Sequence, residues 1–328
     1  MEVFTEEEKK NINSVILDFP KSIRFPGHYL YNSYRYSKLI SQQILPNLAQ
    51  YDFIYSKGFS AWHLLKHREN NLPKIGVNFH GFEMFQKPPN FISLIQQILF
   101  LRKPVKQICD NADVVFSYGG KVTDLILSLG VRRKNIFELP SGVEEIDIVE
   151  KVNPVADKIK FVYLGRYERR KGIEELHETI KKFNGKEAVE FHFIGDIPDE
   201  LQINHDLVKY HGMFKDKAKL KELITQFDIL ICPSFSEGFP NVILEAMAYG
   251  LTVMATKVGA IETLVNDSNG FILESNNPNY LHETLMRINL MGRENILDKK
   301  QKALLTIKEK FTWEKLINEL IAFLKPKQ

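Results

Sequence analysis

Two glutamates, Glu237 and Glu245, stand eight residues apart in the run Pro233-Ser234-Phe235-Ser236-Glu237-Gly238-Phe239-Pro240-Asn241-Val242-Ile243-Leu244-Glu245-Ala246-Met247-Ala248-Tyr249-Gly250. Ile243, Ala246, Met247 and Gly250 recur at helical spacing, so the run reads as a buried strand, a loop and a helix with one inward face. Pro240 is placed to open that helix at its first turn. Glu237 then sits on the loop and Glu245 inside the helix. With a loop between them they are no helix-face pair, and their spacing suits contacts with different parts of one ligand. The free N–H groups of a helix start can hold an anion. A plainer role stays open for each carboxylate: Glu237 as a charge offsetting the helix dipole, Glu245 as a surface residue. A glutamate within the otherwise apolar 242–247 nevertheless calls for a partner.

A second segment adds the opposite charge. Gly165-Arg166-Tyr167-Glu168-Arg169-Arg170-Lys171-Gly172 follows an apolar run and precedes a helical pattern. A strand ending in glycine and leading into a helix places backbone near a ligand at the C-terminal edge of a sheet. Arg166 offers a planar fork for phosphate oxygens and Lys171 a compact point charge. Taken alone, the segment is better explained as a solvated basic loop.

The elements that must position these residues repeat a pattern. Short β-rich runs cover 14–19, 52–55, 75–79, 113–117 and 136–139, then 160–164, 190–194, 228–232 and 252–255. Most are continuously apolar, as strands of a parallel sheet are when helices cover both faces. Helical patterns at 173–183, 219–226 and 241–249 lie between the later strands, and an amphipathic one at 313–324 ends the chain. The expected class is α/β, with two doubly wound, Rossmann-like domains. The break falls near 150–157, where Lys151-Val152-Asn153-Pro154 has no period and contains a helix breaker.

Composition agrees with two ordinary domains. The chain has 328 residues, 44% hydrophobic and 26% charged, with a net charge of +3. That length suits two cores of about 150 residues each. The mild basicity fits a phosphate pocket and is far from the basic face of a nucleic-acid binder, so no nucleic-acid partner is expected. Cys109 and Cys232 are isolated. They imply neither a zinc site nor a disulfide framework and fit a reducing cytoplasm. Cys232, in an apolar run, reads as a small core residue. No apolar stretch reaches the ~18 residues of a membrane span, and the acidic start is no signal peptide.

Glu237-x7-Glu245 after Pro233-Ser234, with Gly165-Arg166 and Lys171-Gly172 upstream, resembles the retaining glycosyltransferases often called family 4, which have the GT-B fold. The likeness continues through Phe193-Ile194-Gly195-Asp196, His211-Gly212-Met213, Asp228-Ile229 and Val258-Gly259-Ala260-Ile261-Glu262. In the first half it rests on Tyr51-Asp52-Phe53-Ile54, Phe79-His80-Gly81, Ala112-Asp113 and Ser141-Gly142-Val143-Glu144. The resemblance implies an acceptor-side domain over 1–152, a nucleotide-sugar domain over 153–310, and a C-terminal helix over 311–328 packing back toward the first domain. It implies that Arg166 and Lys171, with Gly238, Phe239 and Asn241, hold a donor diphosphate. Glu237 would face the donor sugar, Glu245 the ribose, and Gly195 and Met213 the base. His80 matches a histidine near the transferred sugar, although a capping or core histidine would read the same way.

Two departures from the family pattern stand out. Ile197 replaces a second glycine after Gly195. Glu2-Val3-Phe4-Thr5 resembles the family's second strand, so the first domain is expected to lack its first β-α unit, either as a natural variant or through N-terminal shortening.

The implied activity is transfer of a hexose, with retention, from a UDP- or GDP-linked donor to a glycan or lipid-linked acceptor in surface polysaccharide synthesis. There is no Asp-x-Asp motif, and neither metal nor cofactor is expected. The segment 91–106, apolar with Arg102, Lys103 and Lys106 near its end, reads preferentially as a core helix. Its alternative is an interfacial patch giving peripheral contact with the inner face of a membrane. Two rival functions remain: another enzyme on the same fold, such as an epimerase or phosphorylase, and a non-catalytic or truncated inactive partner subunit.

Overall fold

The computed structural model describes residues 10, 12, 14–23, 25–68, 73–79, 81–85 and 91–325. The chain divides into two compact units. The first comprises Met1–Asn78 and Ile95–Val115, the second Phe79–Leu94 and Phe116–Gln328.

In the first unit, β1 (Phe53–Lys57) pairs in parallel with β2 (Lys74–Asn78). The sheet continues through β3 (Val114–Ser117) to β4 (Ile136–Glu138), in the order β1-β2-β3-β4, the chain passing into the second unit after Val115. Asp113 fixes the start of β3: its carboxylate accepts from Ile75 N–H at 2.8 Å and its own N–H donates to the Ile75 carbonyl.

Two expectations for this unit need correction. The run 14–19 is not a strand: it has no regular structure, and Val15, Ile16 and Phe19 are 60%, 85% and 43% exposed. Among the described residues no strand neighbours it, and Pro20 cannot extend a ladder. The segment 91–106 is not a core helix along its length. The helix Phe91–Gln96 passes through a π-helical turn, Gln97–Leu101, into the helix Arg102–Asn111. Ile95, Ile98 and Leu99 face solvent, and burial begins only at Pro104 and Val105. The strand expected at 2–5 lies outside the described residues.

The second unit carries a six-stranded parallel sheet in the order β10-β9-β8-β5-β6-β7. Its strands are β5 (Ile159–Leu164), β6 (Val189–Ile194), β7 (Val208–Tyr210), β8 (Ile229–Cys232), β9 (Thr252–Thr256) and β10 (Gly270–Leu273). Ile159, Phe161, Phe191, Phe193, Ile229, Ile231 and Met254 are buried in one core beneath the helices Ile173–Ile180 and Pro278–Asn289. Ile197, at the position where the family has glycine, is buried in that core too.

Strands β6 and β7 lie on one side of β5, and β8 lies on the other. The direction of winding therefore reverses between β5 and β8, and the crevice beyond the carboxyl ends of those two strands is where such sheets bind ligands. The helix Trp313–Leu324 packs back on this unit: Trp313 N–H donates to the Val143 carbonyl at 3.0 Å, and the Phe323 ring lies against that of Phe137 in a tilted arrangement. Among the described residues, no helix is long and apolar enough to cross a membrane.

Candidate functional site

The loop after β5 and the loop after β8 are built onto one another. The first contains a short 3-10 turn, Arg169–Lys171, closed by Gly172 at φ +69. A Cβ on Gly172 would stand 2.1 Å from the Pro233 carbonyl oxygen, so only glycine lets the loops approach this closely. Phe235 N–H donates to the Arg170 carbonyl at 2.8 Å, and the Arg169 guanidinium lies over the Phe235 ring.

This arrangement aims charges at Glu237, which is 5% exposed. Lys171 Nζ donates to Glu237 Oε1 at 2.5 Å, and Ser234 Oγ donates to the same oxygen at 2.7 Å. Arg170 lies 3.8 Å from Oε2. A buried carboxylate with no counter-charge would cost several kcal/mol, and these partners offset that cost. Arg170 also holds Glu168 at 2.9 Å, and Arg166, 75% exposed along its side chain, holds the other oxygen of Glu168 at 2.6 Å. Lys171 and Glu237 are thus brought together, while Arg166 joins them only through Glu168 and Arg170. Beneath, burial raises the Tyr163 phenol, which donates to the Arg166 carbonyl at 3.0 Å, and pushes the Cys232 thiol up to about 11.

The helix Asn241–Ala248 begins beside Glu237. Pro240 is its N-cap, one position earlier than the sequence suggests, and no side chain caps it. Its first N–H groups therefore remain available to an anion. The loop leading into it is gripped by backbone. A Cβ on Gly81 would meet Gly238 Cα at 2.3 Å, and one on Gly259 would meet the Glu237 carbonyl oxygen at 2.1 Å. Ala260 N–H donates to the Gly238 carbonyl at 3.0 Å, and the Phe239 ring packs at a tilt against Tyr118. His80, next to Gly81, lies outside the described residues.

Glu245 occupies a different face of the same helix. With Asn241, Leu244 and Ala248 it lines a cavity of about 230 Å³, closed by Ser141, Gly142, Glu144, Asp147, Lys217 and Trp313 among others. Its half-buried carboxylate makes no hydrogen bond or ion pair among the described residues. Burial raises its pKa, an effect opposed by Lys217 and reinforced by Asp147. Lys217 is held on Asp147 at 2.5 Å. The cavity is smaller than the ~300–1,000 Å³ of a typical small-molecule site, so it has room for part of a nucleotide.

At the ends of β5 and β6 the backbones touch. Gly195, at φ +142, would place a Cβ 2.0 Å from the Gly165 carbonyl oxygen, and its N–H donates to the Gly212 carbonyl at 2.9 Å. Met213, 65% exposed, follows that turn. Sequence reasoning did not single out Arg170, Ser234, Lys217 or Asp147. Arg170 and Ser234 stood inside the quoted motifs, but nothing in their types separated them from their neighbours.

Residues 158–289 match the family described as "Glycosyl transferases group 1". An uncharacterized glycosyltransferase of Methanocaldococcus jannaschii is 26% identical over 330 residues, covering 96% of this chain and 85% of that protein. A putative teichuronic acid biosynthesis glycosyltransferase of Bacillus subtilis, TuaC, is 26% identical over 196 residues, covering 56% of this chain and 49% of that protein. Among solved structures, Anabaena HepE in complex with UDP-glucose shares the fold, with a TM-score of 0.64 at 18% identity over 87% of this chain and 81% of that one.

Proposed function

We propose that the chain is a group 1 glycosyltransferase of the GT-B fold, that its second unit binds a nucleoside diphosphate sugar, and that it transfers the sugar with retention. Lys171, Arg166 and the open start of the helix Asn241–Ala248, reached through Gly238 and Phe239, stabilise the negative charge that grows on the diphosphate as the glycosidic bond breaks. Glu245 takes the ribose hydroxyls in its cavity, Glu237 faces the donor sugar, and Gly195 and Met213 flank the base. His80 is assigned to the transferred sugar on its motif alone. The protein's own cations supply the charge stabilisation, so the proposal includes neither metal nor cofactor. The observation that carries it is the contrast between the two glutamates: Glu237 buried under two cations beside an uncapped helix, and Glu245 unpaired on a cavity.

HepE, solved with UDP-glucose, supports a UDP-linked hexose as donor, and TuaC supports an acceptor in surface polysaccharide synthesis. A lipid-linked acceptor is favoured by the first unit, where Phe25, Tyr31, Ile98 and Leu99 are exposed and the basic Arg102 and Lys103 follow the last two in sequence. Such a surface suits peripheral contact with an anionic membrane. The test is thermal unfolding with UDP, GDP and ADP, since a ligand at about 100 times its Kd adds roughly 2.7 kcal/mol. It is followed by NMR assignment of the product's anomeric configuration. Stabilisation by none of the three nucleotides would remove the donor site, and an inverted product would remove retention.

A further inference from the structure

Four charged side chains line the cavity beside the helix Asn241–Ala248: Glu144, Asp147, Glu245 and Lys217. Lys217 is the ammonium among them, and it has a choice of partner. Its Nζ donates to Asp147 Oδ2 at 2.5 Å. It also acts on Glu245 at a distance, opposing the rise that burial and Asp147 give to the Glu245 pKa. The side chain of Lys217 is 65% exposed, so its four-carbon stem can turn between the two carboxylates. Ionised Glu245 offers only acceptor oxygens, and ribose hydroxyls and an ammonium compete for them as donors. A lysine seated on Glu245 would therefore close the place assigned to the ribose above, whereas a lysine seated on Asp147 leaves it open.

We propose that Asp147 is the positioning residue of the ribose site: it draws Lys217 off Glu245 and so keeps that carboxylate open to the ribose hydroxyls. The inference rests on the ribose assignment of the previous subsection. Asp147 is set in place by backbone on both sides. It ends the 3-10 turn Glu145–Asp147, where its N–H donates to the Glu144 carbonyl at 2.9 Å. Two residues on, Val149 N–H donates to the carbonyl of Ala248, in the helix that carries Glu245, at 2.9 Å. Lys221, one turn along the helix from Lys217, is committed elsewhere: its Nζ donates to the Ile146 carbonyl at 3.1 Å and lies over the Tyr249 ring. The Tyr249 phenol is pushed up to about 12 by burial and then by Asp147 and Glu245, so it stays neutral on the same wall. Lys217 itself opens the helix Lys217–Ile224. The helix dipole disfavours a cation at that end, so helix stability does not account for the lysine, whereas the pair with Asp147 does.

The test is the preference for a ribonucleotide over its 2′-deoxy counterpart, because the effect of Asp147 passes through the ribose hydroxyls. Affinities for UDP, GDP and ADP and for their 2′-deoxy forms are measured by calorimetry at pH 8, well above the carboxylate range. Asp147→Asn lowers the ribo-to-deoxy ratio about 2- to 5-fold, the range of a partly exposed ion pair. Asp147→Asn/Lys217→Met returns the ratio toward wild type, because no ammonium is left to take Glu245. Glu245→Gln lowers the ratio by itself, and adding Asp147→Asn to it changes nothing more. A merely structural loss of the 145–147 turn would weaken both nucleotides together and would not be undone by removing Lys217. An unchanged ratio in Asp147→Asn, or a fall that Lys217→Met does not reverse, would overturn the role of Asp147 and leave the ribose assignment standing. A wild-type ratio in Glu245→Gln, or binding of none of the three ribonucleotides, would instead overturn the ribose assignment, and this proposal with it.

Discussion

Gly259→Ala tests whether the loop carrying Glu237 is held in place by backbone contact. Gly259 has φ +56, and a Cβ there would lie 2.1 Å from the Glu237 carbonyl oxygen and 2.8 Å from the Gly238 carbonyl oxygen. Both are main-chain atoms, so no change of rotamer relieves the overlap, and one of the two segments must shift by about 1 Å to reach ordinary contact. The left-handed backbone adds about 1–2 kcal/mol for any residue with a Cβ, and overpacking a tight contact adds about 1–3 kcal/mol. Urea unfolding should therefore show a loss of roughly 2–5 kcal/mol with an unchanged slope. Gly185→Ala is the matched control: Gly185 has φ +83 and nothing within 4 Å of its Cβ position. It should lose only the conformational part, and the difference between the variants measures the clash. Because the Ala260-to-Gly238 hydrogen bond adjoins the overlap, the shift also moves the helix start. Misplacement of that size can lower turnover on the order of 10²-fold. Equal stability losses in the two variants, or full turnover in Gly259→Ala, would refute the reasoning.

Glu245→Gln should weaken binding of a bare nucleoside diphosphate by about 1.5–3 kcal/mol and Glu237→Gln by much less, because free nucleotide has ribose but no sugar; equal losses by calorimetry would contradict the division of roles. Lys300 is 1% exposed and pairs with Asp228 at 2.9 Å. Lys300→Met should cost about 3–5 kcal/mol by leaving a buried carboxylate uncompensated, with part recovered in Lys300→Met/Asp228→Asn; a loss below about 1 kcal/mol in urea would show the pair to be dispensable. His177 and His192 are buried and neutral, their pKa values lowered from 6.5 to about 4 chiefly by burial. The unfolded chain therefore binds protons in that interval that the folded one does not, and stability should fall as pH drops from 6.5 toward 4. His177→Gln/His192→Gln should flatten the slope, and a slope equal to wild type would place the acid sensitivity elsewhere.

Strands β5, β6, β8 and β9 were legible because each is rich in apolar and β-branched or aromatic residues, as burial on both faces demands, although β5 carries Lys160 and β6 carries Glu190 and His192. Strands β7 and β10 went unread: they are short and lie at the two edges of the sheet, where Val208-Lys209-Tyr210 and Gly270-Phe271-Ile272-Leu273 need not be uniformly apolar. The helix His28–Ile44 went unread for a different reason. Its buried face is Asn32, Ser33, Ser37 and Ser41, while Tyr29, Tyr31 and Leu39 are exposed, so the usual apolar stripe is inverted. The serines are satisfied locally, Ser33 donating to the Tyr29 carbonyl and Ser41 to that of Ser37, and Ser37 Oγ also accepts from His63 N–H. Small hydroxyls that bond their own helix can be buried without an outside partner, a pattern that hydrophobic periodicity reads as surface.

The candidate site shows the same boundary between what residue type carries and what geometry adds. Glu237, Glu245 and Lys171 could be picked out because a carboxylate in an apolar helix, or a cation beside a glycine at a strand end, is unusual in itself. Arg169-Arg170-Lys171 reads as three equivalent cations. Only the 3-10 turn ending at Gly172 makes them unequal, sending Arg169 to the Phe235 ring and to Glu174 and Glu175, and turning Arg170 and Lys171 toward Glu237. That turn exists because Gly172 can lie against the Pro233 carbonyl, a contact between residues 61 positions apart. Gly172→Ala should therefore act on charge as well as on packing. If the turn opens, Arg170 and Lys171 lose their aim together, and buried Glu237 loses both of these counter-charges. Nucleotide affinity in Gly172→Ala should then fall at least as far as in Lys171→Ala, although no charged group has been removed. Affinity close to wild type in Gly172→Ala would mean that the cations find Glu237 without the turn.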